Sequence, residues 1–260
     1  MKNILATIDL SIGYKAKNST TAIAENLNLH LKEGKLIALL GANGIGKSTL
    51  LRTLTGIQNP LSGEVLLQTK NLHDYQPIAL AQEMSLVLTE KLPPSNLTVF
   101  ELIALGRQPY TNWLGTLSAE DIYKVNAAME LTQLTHLANK KHYQISDGQL
   151  QKVLIARALA QDTPLIILDE PTTHLDLLHK ISLLKLLKKF TVEANKCILF
   201  STHDIDLAIQ LSDEMIVMTP EKVYQNKPSD LIAIGVFDKL FNDENIFFDK
   251  EKGKFVFNKV

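Results

Sequence analysis

The stretch "GANGIGKST" at residues 41–49 directly follows the apolar run "LIALL" at 36–40. Gly41, Gly46, Lys47 and Ser48 fit the pattern G-x-x-x-x-G-K-[ST]. Each residue type has a chemical reason. Glycines let backbone N–H groups turn inward around phosphate oxygens. The lysine reaches the β- and γ-phosphates, and the hydroxyl after it ligates Mg²⁺. A helix that starts at the lysine adds its positive end to the cradle. Ala42, Asn43, Gly44 and Ile45 complete the loop, and Thr49 belongs to the first turn of the helix. The bland alternative is a glycine turn between strand and helix. The strand before and the helix after are the context a phosphate loop requires.

A phosphate cradle needs a carboxylate on the metal side. "LIILDEP" at 165–171 ends an apolar run in Asp169 and Glu170. An aspartate at the end of a buried strand can hold Mg²⁺, directly or through water. The glutamate beside it can polarise an attacking water. An acidic strand end alone is a weak signal. In the same chain as the glycine loop it becomes a strong one.

Outward from these two strands, the pattern is mixed. "LATIDLSIGY" and "LNLHL" alternate with the period of a strand, and "KLIALL" is apolar throughout, as a strand covered on both faces would be. "LLRTLTG" reads as a helix stopping at Gly56, and "NPLSGEVLL" as a turn and a strand. From about Thr98, "LTVFELIALGR", "SAEDIYKVNAAMELTQLTHLA" and "DGQLQKVLIARALAQ" read as helices. Strands return in "PLIILDEP" and "KCILFSTHD", separated by the amphipathic helix "LDLLHKISLLKLLKKF". "FFDKEKGKFVF" reads as a terminal hairpin with "KEKG" at its turn. Short buried strands alternating with helices predict an α/β fold with a mostly parallel sheet.

Composition narrows the class. The chain has 260 residues, 45% hydrophobic and 21% charged, and a formal net charge of −1. That balance gives no global basic field, so no nucleic acid partner is expected. Cys197, the only cysteine, lies in "CILF" and reads as a core residue, which suits a reducing compartment. No apolar stretch approaches the roughly 20 residues needed to span a bilayer, and "MKNILATIDL" is too short and polar for a signal peptide. A cytoplasmic location is expected, with any membrane role exercised through a partner. The seven histidines are scattered and suggest no metal cluster.

Three further segments set the class. "ISDGQ" at 145–149 opens the helix "LQKVLIARALA", "THLD" at 173–176 follows the acidic strand, and "STHD" at 201–204 closes the next one. Glycine loop, helical region, signature segment, acidic strand, "THLD" and "STHD" in this order resemble the ATP-binding cassette (ABC) ATPases across almost the whole chain. The resemblance implies a P-loop NTPase core, an N-terminal antiparallel β portion, a helical subdomain at 90–160 inserted in the core, and a small C-terminal extension at 220–260, all in one domain. It implies ATP and Mg²⁺ as ligands. Tyr14 would stack on adenine, although a surface tyrosine at a strand end is a competing reading. Ser146, Gly148 and Gln149 would bind the γ-phosphate held by the opposite subunit of a head-to-tail homodimer. Glu170 would be the general base, His203 would contact the γ-phosphate and help hold the attacking water, although a loop histidine is a competing reading, and Asp176 would lie at the dimer interface and couple the two sites. Two departures stand out. Asp147 occupies a position where the family's commoner "LSGGQ" has glycine. The family's glutamine before the helical subdomain falls, counted without gaps, on Thr89, with Gln82 too far upstream. Thr89 or Glu90 would then replace its contact to Mg²⁺ or water.

"ELIALGR", an aromatic cluster and "LSAED" within 101–121 resemble the ATPases of iron-siderophore, haem and cobalamin importers. Those ATPases are separate chains, docked as homodimers beneath integral-membrane permease subunits at the inner face of the cell membrane, with a substrate-binding protein outside. Tyr110 and Trp113, if exposed, would then favour a docking surface; the competing reading is a loop with buried aromatics. The alternative is a cassette ATPase without a permease, a mechanical clamp in translation or DNA repair. Single-cassette length and the lack of sustained heptads argue against it. A P-loop kinase or GTPase gives "ISDGQ" and "STHD" no role.

Overall fold

A computed structural model describes residues 2–17, 19–88, 95–173, 175–240, 246–250 and 252–257. In chain order the strands are β1 (Asn3–Ala16), β2 (Ser19–Leu27), β3 (His30–Lys32), β4 (Leu36–Gly41), β5 (Ser62–Leu67), β6 (Lys70–Asn71), β7 (Met84–Val87), β8 (Leu165–Leu168), β9 (Cys197–Ser201), β10 (Glu214–Met218), β11 (Val223–Asn226), β12 (Ile246–Asp249) and β13 (Lys254–Phe257). The helices are α1 (Lys47–Leu54), α2 (Pro77–Glu83), α3 (Val99–Ala104), α4 (Ala119–Leu131), α5 (Asp147–Gln161), α6 (Leu177–Glu193), α7 (Ile205–Leu211) and α8 (Pro228–Ala233).

Two sheets carry the fold. The first is antiparallel, in the order β2-β1-β5-β6 with β3 also on β1. The second runs β11-β10-β4-β9-β8-β7; only its β10–β11 pair is antiparallel. The continuous apolar runs have a direct cause in this second sheet. Leu36, Ala38 and Leu40 of β4 face one core, and Ile37 and Leu39 face the other. β8 divides in the same way, Ile166 and Leu168 against Leu165 and Ile167, and so does β9, Ile198 and Phe200 against Cys197 and Leu199. Alternate side chains point to opposite faces of a strand, so a sheet covered on both sides needs apolar residues at every position. Cys197 is fully buried, and burial pushes its thiol well above the ordinary range.

The chain leaves the parallel sheet after β7 and returns at β8. Between them the described residues form α3, α4, α5 and short 3₁₀ turns, including one at Leu105–Tyr110, and the three helices pack on one another. Thr98, Ser118 and Ser146 each start one of these helices with a capping box, satisfying N–H groups that have no partner within the helix. The terminal hairpin forms as expected, β12 against β13, and Phe248 stacks on Phe237 at 4.7 Å. No helix among the described residues is long and apolar enough to cross a membrane.

One strand expectation is corrected. "LNLHL" is not one strand: Leu27 ends β2 and His30 starts β3. Leu27, Leu29 and Leu31 are nevertheless all buried, so the alternation reported burial while a break in pairing divided the element.

Candidate functional site

The second sheet decides the site. β9 lies between β4 and β8, all three parallel, so their C-terminal ends open on one edge, where α/β sheets take their ligands. Gly41 leaves β4, Asp169 and Glu170 follow β8, and Ser201 and His203 lie at the end of β9.

Ala42–Ile45 form the loop after β4, and Gly46 precedes α1 with φ +111° and ψ +15°. A Cβ at Gly46 would come within 2.3 Å of Ile23 Cγ2, so both the backbone and the space require glycine. Gly44 also has a positive φ, +77°. Lys47 is buried and donates to the carbonyls of Gly41 (2.8 Å) and Ala42 (3.2 Å). Burial pulls its ammonium below the ordinary lysine range, against the opposing pull of Glu170 and Asp169. Tyr14, on β1, joins Thr49 of the loop helix through its hydroxyl at 2.9 Å, and the residue is 58% exposed.

Ser48 Oγ lies 3.5 Å from Asp169 Oδ2. Hydroxyl and carboxylate are hard oxygen donors, the set that suits Mg²⁺ with its remaining waters. Ser201, which sequence reasoning missed, organises the rest. Its Oγ donates to Asp169 Oδ1 at 2.6 Å and accepts from the Glu170 backbone N–H at 2.8 Å. Glu170 has φ +47°, in the left-handed region that side chains other than glycine seldom adopt. Such strain persists only where the surroundings hold it, and here Ser201 and the adjoining turn do so. The Glu170 carboxylate meets His203 Nε2 at 2.7 Å and accepts from Thr173 Oγ1 at 3.2 Å. A cavity of about 250 Å³ adjoins this edge, lined by Gly41, Ala42, Asn43, Thr202, His203 and Leu240 among others. The signal for Ser201 was a hydroxyl ending an otherwise apolar strand.

Ser201→Ala removes a donor to the buried Asp169 carboxylate and strands the part-buried Glu170 N–H. We expect a loss of about 1–3 kcal/mol in stability, read by thermal melting, together with slower ATP hydrolysis.

The remaining candidates lie elsewhere. Ser146 caps α5 and exchanges hydrogen bonds with Gln149, at 3.0 and 3.3 Å, with Gly148 in the same turn. Asp176 caps α6, accepting from the His179 backbone at 2.9 Å. Thr89 and Glu90 lie outside the described residues.

A parallel sheet with a glycine loop, an acidic strand end and a histidine-carboxylate contact at its C-terminal edge defines a P-loop ATPase. The ABC transporter family profile matches residues 24–173. The chain belongs to the ABC transporter family and is one of its ATP-hydrolysing, ATP-binding subunits. It is 37% identical to the achromobactin transport ATP-binding protein of Dickeya dadantii, over 90% of this chain and 86% of that one. It is 39% identical to the iron(3+)-hydroxamate import ATP-binding protein of Bacillus subtilis, over 83% and 79%. Its fold also matches a dimeric, post-hydrolysis ATP-binding cassette bound to ADP and Pi, with a TM-score of 0.74 and 30% identity over 86% of this chain and 98% of that one.

Proposed function

We propose that this chain powers an importer of iron-siderophore, haem or cobalamin type, as a homodimer on the inner face of the cell membrane beneath separate permease subunits, with an extracytoplasmic binding protein delivering the cargo. The catalytic part rests on one observation: Lys47, Ser48, Asp169, Glu170 and His203 gather where β4, β9 and β8 end. The cargo class is supported by the iron(3+)-hydroxamate relative. The docking reading is supported by Trp113, 90% exposed beside the partly exposed Tyr110.

In this mechanism Lys47 and the loop N–H groups bind the phosphates of ATP. Ser48 and Asp169, with Thr89 or Glu90, would hold Mg²⁺, which supplies neutralisation of phosphate charge. Glu170 takes the proton of the attacking water, and His203 and Ser201 hold Glu170 in place. Tyr14 offers its ring to adenine. Ser146, Gly148 and Gln149 of one subunit complete the site of the other, and Asp176 lies between them. Closure of the dimer across two ATP molecules drives the permease, and hydrolysis reopens it. Residues 90–160 act as the inserted helical arm and 220–260 as a C-terminal extension.

The test is a pull-down from native membranes with tagged Glu170→Gln protein and ATP. A polytopic permease among the co-purifying chains is the expected result. Ribosomal or DNA-repair partners without a permease would overturn the transport reading and favour a mechanical clamp.

A further inference from the structure

Arg107 is a charged side chain buried far from the glycine loop in sequence, and its position is unusually constrained. It lies in the 3₁₀ turn Leu105–Tyr110 and is only 5% exposed. Its Nε donates to Asp121 Oδ1 at 2.8 Å, at the start of α4. Its Nη1 donates to the carbonyls of Ala160 (2.9 Å) and Gln161 (3.2 Å), at the end of α5. Its guanidinium lies 4.0 Å from the ring centre of Tyr110. One planar group therefore ties three elements together, which a lysine with its single ammonium cannot reproduce.

The ties continue in both directions. Gln161 Nε2 donates to the carbonyls of Ala81 (2.6 Å) and Met84 (3.2 Å), where α2 meets β7. Gln82 Nε2 donates back to Pro109 at 2.9 Å. At the other end of β7, the Val87 carbonyl accepts from the Asp169 N–H at 2.8 Å. On the surface side, Asn112 Oδ1 accepts from the N–H groups of Leu114 and Thr116, both at 3.1 Å, and so shapes the turn that carries Trp113. The Leu105–Tyr110 turn runs directly into the Trp113 turn along the chain, and its hydrogen bonds to α2 and α5 lead on through β7 to Asp169, while α5 extends from the same junction to Ser146.

We propose that Arg107 is a positioning residue that couples occupancy of the ATP site to the surface turn bearing Tyr110 and Trp113. Packed side chains and hydrogen-bond networks carry coupling of this kind, and the Arg107 junction is such a network. It rests on the reading that ATP binds at Lys47. It goes beyond that reading in naming the group through which the nucleotide and the exposed turn respond to each other.

Trp113 is the only tryptophan of the chain, so its fluorescence reports this turn alone. The experiment titrates Mg-ATP into the full-length protein, following Trp113 emission and its quenching by acrylamide. Nucleotide affinity is measured separately by calorimetry. The wild type is expected to change its Trp113 signal on saturation. Arg107→Lys and Gln161→Met are expected to lose that change while binding ATP with wild-type affinity. Should Arg107→Lys fail to fold, Gln161→Met, which leaves the Arg107–Asp121 pair intact, decides alone. A wild-type-like response in the folded variants overturns the proposal, as does a Trp113 signal that stays constant while the wild type binds ATP. Absence of ATP binding to the wild type would overturn the nucleotide-site reading as well, and calorimetry separates the two failures.

Discussion

Glutamine in place of Glu170 is expected to slow ATP hydrolysis by about 10²–10⁴-fold while leaving ATP affinity near that of the wild type. The amide has nearly the shape of the carboxylate. It can still accept from Thr173 Oγ1, and it keeps a polar atom toward His203. The backbone at Glu170 keeps its left-handed conformation, because Ser201 holds the main-chain N–H rather than the side chain. What the amide loses is the capacity to take a proton from water. Binding and catalysis should therefore separate, and the variant should accumulate as an ATP-bound dimer. Single-turnover phosphate release measures the first effect, and size-exclusion chromatography with and without Mg-ATP the second. Turnover within a few-fold of wild type would remove Glu170 from the role of base.

Lys47→Ala should act one step earlier, on binding itself. Lys47 is a buried cation whose neighbours in the same loop are backbone carbonyls, and whose nearby charges are Asp169 and Glu170. Phosphates entering the cradle bring negative charge toward those carboxylates, and Lys47 is the cation placed to offset it. Truncating one partner of a buried, hydrogen-bonded charge pair costs about 2–5 kcal/mol, which is roughly 30- to 4,000-fold in Kd. Calorimetric titration with Mg-ATP checks this. The Gly46 turn survives the substitution, so the loop should keep its shape. An affinity unchanged by the loss of the ammonium would show that Lys47 does not face the phosphates.

Much of the parallel sheet was legible because each of its central strands is buried on both faces and has a continuous apolar run as its signature. The helix Asp147–Gln161 was legible from "SDGQ", where Ser146 and Gln149 make a local capping box. β2 was not read as a strand. Its residues Ser19–Glu25 are mostly exposed, and it is the edge of its sheet, so pairing with β1 makes it a strand and periodicity does not. α2 was missed for a similar reason: it is short and none of its residues is fully buried.

The sequence by itself determined the phosphate loop, since its requirements are local. Gly46 must take a conformation that other residues resist, and Lys47 and Ser48 follow it at fixed spacing along the first turn of α1. It likewise determined the helices that begin with their own caps. Only the tertiary structure decided that β9 enters between β4 and β8, strands far apart along the chain. That non-local pairing places Ser201 against both Asp169 and Glu170 and turns two neighbouring acids into differently held groups. It also decided the surroundings of Arg107, whose partners at Asp121, Ala160 and Gln161 lie on two other helices. Local propensity cannot encode such contacts, because they exist only after distant segments have packed.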